Sequence, residues 1–188
     1  MHIHYISEQN SILNHFLAQI RDVTIQKDSM RFRKNIERIG EIMAYELSKT
    51  LEYKNIDVQT PLGIKQTTTI AEPVVLCSIL RAGLALHQGF MNFFDDAENG
   101  FVSAYRHHYN NDDKFEILVE YQAAPSFEGK NLILIDPMLA TGQSLVAVLN
   151  QLHLEQKPKE IHIAVVIAAP EGIAFLEENL PENCHLWV

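Results

Sequence analysis

Several things are scarce in this chain, and each absence excludes something. It has two cysteines in 188 residues, Cys77 and Cys184, too few for a disulfide framework. It has no apolar run of about 18 residues, so the sequence offers no transmembrane helix. It is poor in cations: 15 Lys and Arg stand against 24 Asp and Glu, a formal charge of −9. A nucleic-acid partner needs a net basic face, so none is expected. A local site for one phosphorylated small molecule stays open. The start, Met1-His2-Ile3-His4-Tyr5, lacks the basic and apolar regions of a signal peptide. A cytoplasmic protein is expected. Two phosphate motifs are missing as well, the Gly-Lys-Ser/Thr of nucleotide kinases and the G-x-G-x-x-G of dinucleotide folds.

What is present is an ordinary globular composition, 47% apolar and 21% charged. No linker, repeat or low-complexity tract divides it, so residues 1–188 read as a single domain. Ile12, Leu13, Phe16, Leu17 and Ile20 have helical spacing within Ser7 to about Asp22. A second helix carries Phe32, Ile36, Ile39, Met43 and Leu47, with Ser29 as its expected N-cap. Arg31, Arg33 and Lys34 read as a solvated face. Tyr53 to Ile70 reads as a β-hairpin turning at Pro61-Leu62-Gly63.

Three continuous apolar runs follow, at 73–79, 131–136 and 161–167. Strands buried on both faces look like this. Helical spacing resumes after Gly83, again at Leu145, Val148, Leu149 and Leu152, and again from Pro170 to about Glu178. Phe101 to Tyr105 and Phe115 to Tyr121 read as strands around a polar tip, and Cys184 to Val188 as the start of one more. Buried strands alternating with amphipathic helices predict an α/β fold, a Rossmann-like parallel sheet flanked by helices. Ligands in such sheets bind beyond the C-terminal strand ends, at a topological switch point.

One segment lies where that rule directs attention: Ile133-Leu134-Ile135-Asp136-Pro137-Met138-Leu139-Ala140-Thr141-Gly142-Gln143-Ser144. A buried strand ends in an acid, a loop of small and hydroxyl residues follows, and a helix begins. The first amides of a helix have no intrahelical partner and carry the positive end of its dipole, so they cradle phosphate. Gly142 lets the backbone close on an anion, and Thr141 and Ser144 can add hydroxyl donors. Asp136 could hold sugar hydroxyls, directly or through Mg²⁺. The same residues also fit a plain strand–turn–helix corner in which Asp136 caps the turn.

Asp136 to Gly142 followed by Ser144 resembles the signature of the uracil phosphoribosyltransferases. Ile79-Leu80-Arg81-Ala82-Gly83-Leu84, Gly89, Tyr105-Arg106, Ala168-Ala169-Pro170-Glu171-Gly172 and Arg31-Phe32-Arg33 match further family segments, in order along the chain. The resemblance implies the type I phosphoribosyltransferase fold with a β-hairpin lid around His107 to Asp113. It implies transfer of ribose 5-phosphate from 5-phosphoribosyl 1-diphosphate (PRPP) to uracil, giving UMP and diphosphate in pyrimidine salvage.

The implied PRPP site is Arg81, Arg106, Asp136, Pro137, Met138, Leu139, Ala140, Thr141, Gly142, Gln143 and Ser144, with Asp136 and Arg81 catalytic. Mg²⁺ as cofactor, a homodimer or higher homo-oligomer, and a nucleotide activator are implied too. Two departures stand out. Gln143 replaces a family glycine and should bulk up the loop. The family's Gly-rich, base-binding tail, with its Gly-Asp-Ala, is expected to be missing after Val188. The base-binding residues are therefore not assigned. A phosphoribosyltransferase for another base, or a non-catalytic PRPP or nucleotide sensor, are the alternatives.

Other chemistry-bearing residues read as structural. His2, His4, His107 and His108 lack a third ligand at fixed spacing and read as solvated. Cys77 and Trp187 read as core. His162 reads as facing outward or pairing locally. Alone, Arg81 could equally be half of a surface salt bridge.

Overall fold

The computed structural model describes residues 1–108, 115–152 and 157–188; at 104–108 and 115–120 it describes the backbone. In chain order the elements are β1 (His2–His4), α1 (Ile12–Arg21), α2 (Ser29–Ser48), β2 (Tyr53–Thr60), β3 (Gly63–Ile70), β4 (Val74–Leu80), α3 (Leu84–Met91), β5 (Glu98–His108), β6 (Phe115–Ala123), β7 (Asn131–Ile135), β8 (Met138–Leu139), α4 (Gln143–Gln151), β9 (Glu160–Ala164), β10 (Ile167–Ala168), α5 (Pro170–Asn179) and β11 (Cys184–Trp187).

The main sheet runs β1-β11-β9-β7-β4-β5-β6. All of its neighbouring strands are parallel except β6, which returns antiparallel beside β5. The apolar runs are buried on both faces, as two helical layers require. Val75, Cys77, Leu132, Leu134, Ile161 and Ile163 meet α4 and α5. Their neighbours Val74, Leu76, Ile133, Ile135 and Ala164 meet α1, α2 and α3. The alternation is the period of two that successive strand side chains impose.

β4 crosses through α3 to β5 on one side, while β7 and β9 add on the other. The order therefore reverses between β4 and β7, and the loops following these two strands face one crevice. β2 and β3 form a separate, largely exposed hairpin with Leu62 at its tip.

Several sequence expectations change. The first helix starts at Ile12, not Ser7, because the Ser11 hydroxyl accepts the Leu13 amide at 3.2 Å and caps it. The second helix is capped by Asp28, not Ser29: the Asp28 carboxylate accepts the Arg31 amide at 3.0 Å, and Ser29 is already helical. The third apolar run is two strands, because after Ala164 the chain turns: Val165 N–H bonds Trp187 O, then Val166 and Ile167 N–H both reach Pro137 O.

The opening residues, which gave no strand signal, pair with β11 as an edge strand. His2, His185 and His162 fall side by side across β1, β11 and β9. Adjacent ring centroids are 5.0 Å apart, near the interstrand spacing. His4 stacks on Trp187 at 3.9 Å. His162 is fully buried rather than outward-facing, and its Nδ1 accepts the Trp187 indole N–H at 3.2 Å. Burial, then the neighbouring histidines, push its pKa down to about 3. Cys77 and Trp187 are core residues, as expected, and Arg31, Arg33 and Lys34 are exposed.

Candidate active site

The loop after β7 is shaped almost wholly by main chain. Asp136 N–H bonds Ala164 O at 3.2 Å, and Ala169 N–H bonds Leu139 O at 2.8 Å. Met138 and Leu139 form the short strand β8, paired in parallel with β10. The chain then swings into α4 through Gly142, whose φ of +78° is left-handed. A Cβ there would lie 3.0 Å from Phe175 Cδ1 and 3.1 Å from Gly172 O, so glycine is required for both conformation and space. Val146 is the first helical residue whose amide closes onto a carbonyl behind it, Gly142 O. The amides of Gln143, Ser144 and Leu145 lie ahead of that ladder, have no main-chain partner among the described residues, and suit an anion.

Asp136, Met138, Leu139, Ala140, Thr141, Gly142, Ser144 and Leu145 line a small cup of about 50 Å³. Gln143 is exposed and does not line it. The expected crowding by Gln143 therefore does not occur, because the first helical turn points its side chain at solvent. Asp136 is half-buried at the cup's rim. Desolvation raises its carboxyl to about 6, against one opposing bond from the Met138 amide. A carboxylate so desolvated gains from any hydroxyl or cation that reaches it.

Arg81 lies in the loop between β4 and α3. Ser78 pairs with Ile135 as the last matched residues of β4 and β7, so the Arg81 and Asp136 loops leave the sheet as neighbours. Gly83 draws them together: a Cβ on it would stand 2.9 Å from both Ile135 O and Ile79 O. The Leu80–Arg81 peptide bond is cis. Arg81 is exposed, and among the described residues no carboxylate pairs with it. The surface salt bridge is thus set aside.

Arg81 and Pro137 do not line the cup. With Met138 they border a larger, mainly apolar cavity of about 550 Å³ between α1, α2 and the strand ends, which Phe32, Arg33, Val166 and Ile167 help to wall. Arg106 sits on β5 opposite Ile117 of β6. Its side chain, and the expected lid tip 109–113, lie outside the described residues.

One feature of the site left no motif in the sequence. Ser78, His87 and Asn99 form a chain of side-chain hydrogen bonds beneath the Arg81 loop. The available signal was a histidine within the otherwise apolar helix Leu84-Ala85-Leu86-His87.

The family model for uracil phosphoribosyltransferase matches residues 6–188. The chain belongs to the uracil phosphoribosyltransferase family. It is 45% identical to uracil phosphoribosyltransferase of Porphyromonas gingivalis over 188 residues, 100% of this chain and 87% of that protein. It is 37% identical to the enzyme so named in Methanococcus vannielii, over 95% of this chain and 76% of the relative. An Aquifex aeolicus protein of known structure superposes with a TM-score of 0.85 at 28% identity, covering 98% of this chain and 86% of that one. A hypoxanthine phosphoribosyltransferase from Staphylococcus aureus, 15% identical with a TM-score of 0.54 over 96% of this chain and 83% of that one, shares the fold.

Proposed function

We infer that this chain transfers ribose 5-phosphate from PRPP to N1 of uracil, forming UMP and diphosphate in pyrimidine salvage. Membership of the uracil phosphoribosyltransferase family over residues 6–188 carries this reading and favours uracil over another base. The retained Arg81 and Asp136 favour an enzyme over a sensor. In the reaction the C1–oxygen bond to diphosphate breaks with its electron pair leaving on the diphosphate, the C1–N1 bond forms, the N1 proton of uracil is released to diphosphate or solvent, and positive charge develops on the ribose in the transition state.

The residues divide that work. The amides following Gly142 and the hydroxyls of Thr141 and Ser144 hold the 5-phosphate, fixing C1 in place. Arg81, which no carboxylate pairs among the described residues, takes the leaving diphosphate with Arg106 from β5, and a guanidinium's planar fork is suited to that. Asp136 meets the ribose hydroxyls, and its charge favours the electron-poor sugar. Pro137, Met138, Leu139, Ala140 and Gln143 complete the loop.

Mg²⁺ fits this site, because it typically binds through one or two carboxylates plus substrate phosphates, and Asp136 is a desolvated carboxylate at the rim. When bound, it neutralises charge on the diphosphate. The β5–β6 hairpin is the element suited to exclude water.

A homodimer is supported by an exposed hairpin tip, where Leu62 and Ile64 are solvated. A nucleotide activator rests on the family resemblance, and a cytoplasmic location on the scarce cysteines and the lack of a long apolar run. The free, buried thiols of Cys77 and Cys184 agree with a reducing compartment.

The test is UMP formation from PRPP, uracil and Mg²⁺, using this chain and the longest encoded form. UMP from either form, abolished by chelation, is expected. No UMP from either form, with PRPP still binding, would replace the enzyme by a sensor or move it to another acceptor. Light scattering should give twice the monomer mass at micromolar concentration; a monomer would remove the dimer.

A further inference from the structure

Beneath the Arg81 loop lies a polar chain, two of its three members buried, with no part in the chemistry so far. Ser78, in β4, is fully buried. Its Oγ lies 2.8 Å from Nδ1 of His87, which is itself 3% exposed in α3. His87 Nε2 lies 2.8 Å from Asn99 Oδ1 on β5. The Asn99 amide nitrogen donates to Ala97 O at 3.1 Å, which leaves Oδ1 as the acceptor. The proton positions follow. His87 donates from Nε2, its Nδ1 accepts, and the Ser78 hydroxyl donates to it. Burial lowers the His87 pKa, so the neutral ring this pattern needs is the favoured form.

The chain's position gives it a role. His87 N–H bonds Gly83 O at 2.8 Å, and Gly83 N–H bonds Ile79 O at 3.0 Å. The segment from Ile79 to Leu84 is therefore closed at its base by two main-chain bonds and the Ser78–His87 bond. Ser78 is the root of the loop and His87 is the first turn of the helix it feeds. The Asn99 bond ties that helix turn to the neighbouring strand. Apolar residues at these places would fill the space but would not fix the angle at which α3 leaves β4, because dispersion has no direction and a hydrogen bond does.

We propose that Ser78, His87 and Asn99 are positioning residues, which set the loop so that Arg81 presents its guanidinium to the diphosphate. This rests on the reading of Arg81 as the diphosphate contact. The cup for the 5-phosphate hangs from β7 and β10 and uses none of these bonds, so it serves as an internal control.

The experiment compares binding of inorganic diphosphate with Mg²⁺, and of ribose 5-phosphate, by calorimetry on the full chain, with melting temperatures alongside. The key variant is S78A/H87L. It removes donor and acceptor together and leaves no orphaned buried group, since Asn99 is exposed. The single variant S78A serves if the double one does not fold. We expect wild-type melting to be nearly preserved, diphosphate affinity to fall about 10- to 100-fold, the scale of misplacing a binding group, and ribose 5-phosphate affinity to hold. Unchanged diphosphate affinity, or equal losses for both ligands, would overturn the positioning role. R81A separates the two ideas. If it leaves diphosphate affinity untouched, Arg81 is not the contact, and the reading beneath the proposal fails with it.

Discussion

The two loops at the switch point are built by opposite means. The loop after β7 is a main-chain object, with a two-residue strand, carbonyl bonds from Asp136 and Ala169, and a left-handed Gly142. The loop after β4 is anchored by side chains, the buried Ser78 and His87 and the exposed Asn99. In the proposed reaction each serves a different part of PRPP. Backbone amides are fixed in place and suit a phosphate that does not change during reaction. A guanidinium on a long side chain suits a diphosphate that must be gripped and released. Long side chains have freedom to lose, so the platform beneath Arg81 has to be set by something directional.

The largest effect should fall on the side-chain-built loop. R81A removes a charge-assisted contact, at about 1.5–3 kcal/mol of transition-state binding, or roughly 10- to 150-fold in kcat/KM for PRPP. Steady-state kinetics at saturating uracil read it directly, and an unchanged kcat/KM would take Arg81 out of the site.

Asp136 gives opposite effects on activity and stability. Its carboxyl is raised to about 6 in the fold from an ordinary value of 3.8. The folded state thus favours the protonated form, and stability declines as pH rises from about 4 through 6. At pH 7.5 the ionised group costs on the order of 1–3 kcal/mol. D136N should therefore melt higher than wild type at pH 7.5, with the gain fading below about pH 4, while kcat drops more than KM rises. A variant equally active would reduce Asp136 to a turn cap. One melting no higher would mean the carboxylate is compensated in the fold.

The main-chain-built loop should respond to backbone change instead. G142A places a side chain at φ +78° and 3.0 Å from Phe175. About 1–2 kcal/mol of stability should be lost, with weaker ribose 5-phosphate binding and unaltered diphosphate binding. Equal losses for both ligands would erase the division between the loops.

That division also explains what the sequence could tell. The shape of the loop after β7 was legible because a main-chain-built turn restricts residue type: small residues, a glycine at the helix start and an acid at the strand end survive in the letters. The three buried strands were legible because burial on two faces demands continuous apolar runs. Side-chain networks leave no such pattern. Ser78 and His87 are nine residues apart and fit neither the helical nor the strand period as polar positions. The edge strand β1 was hidden too, because His2-Ile3-His4 carries no apolar alternation beyond Ile3. Its partners on β11 lie some 180 residues away, and pairing alone brings its histidines together.

The histidine row offers the finest test of what side chains add, since its desolvated rings, like the Asp136 carboxyl, tie stability to pH. The His162 pKa is depressed to about 3, and His4 and His185 are lowered as well, burial being the first cause for each. Groups facing His162 are Glu160, with an oxygen 3.4 Å from Nε2, the ring of His185, and His4. An unfolded histidine titrates near 6.5. The fold therefore keeps its full stability above that value and loses it as pH falls from 6.5 toward 3, because the unfolded chain takes up protons first. Lowering the pH from 7.5 to 5.5 should cost roughly 1 kcal/mol from His162. Asp136 slopes the other way over this range, so the measurement belongs in the D136N background. There, H162Q keeps an acceptor for the Trp187 indole but cannot be protonated. Denaturant melts at the two pH values should show the loss in D136N and a smaller one in D136N/H162Q. Equal losses in both would place the proton uptake elsewhere and leave the histidine row a matter of packing alone.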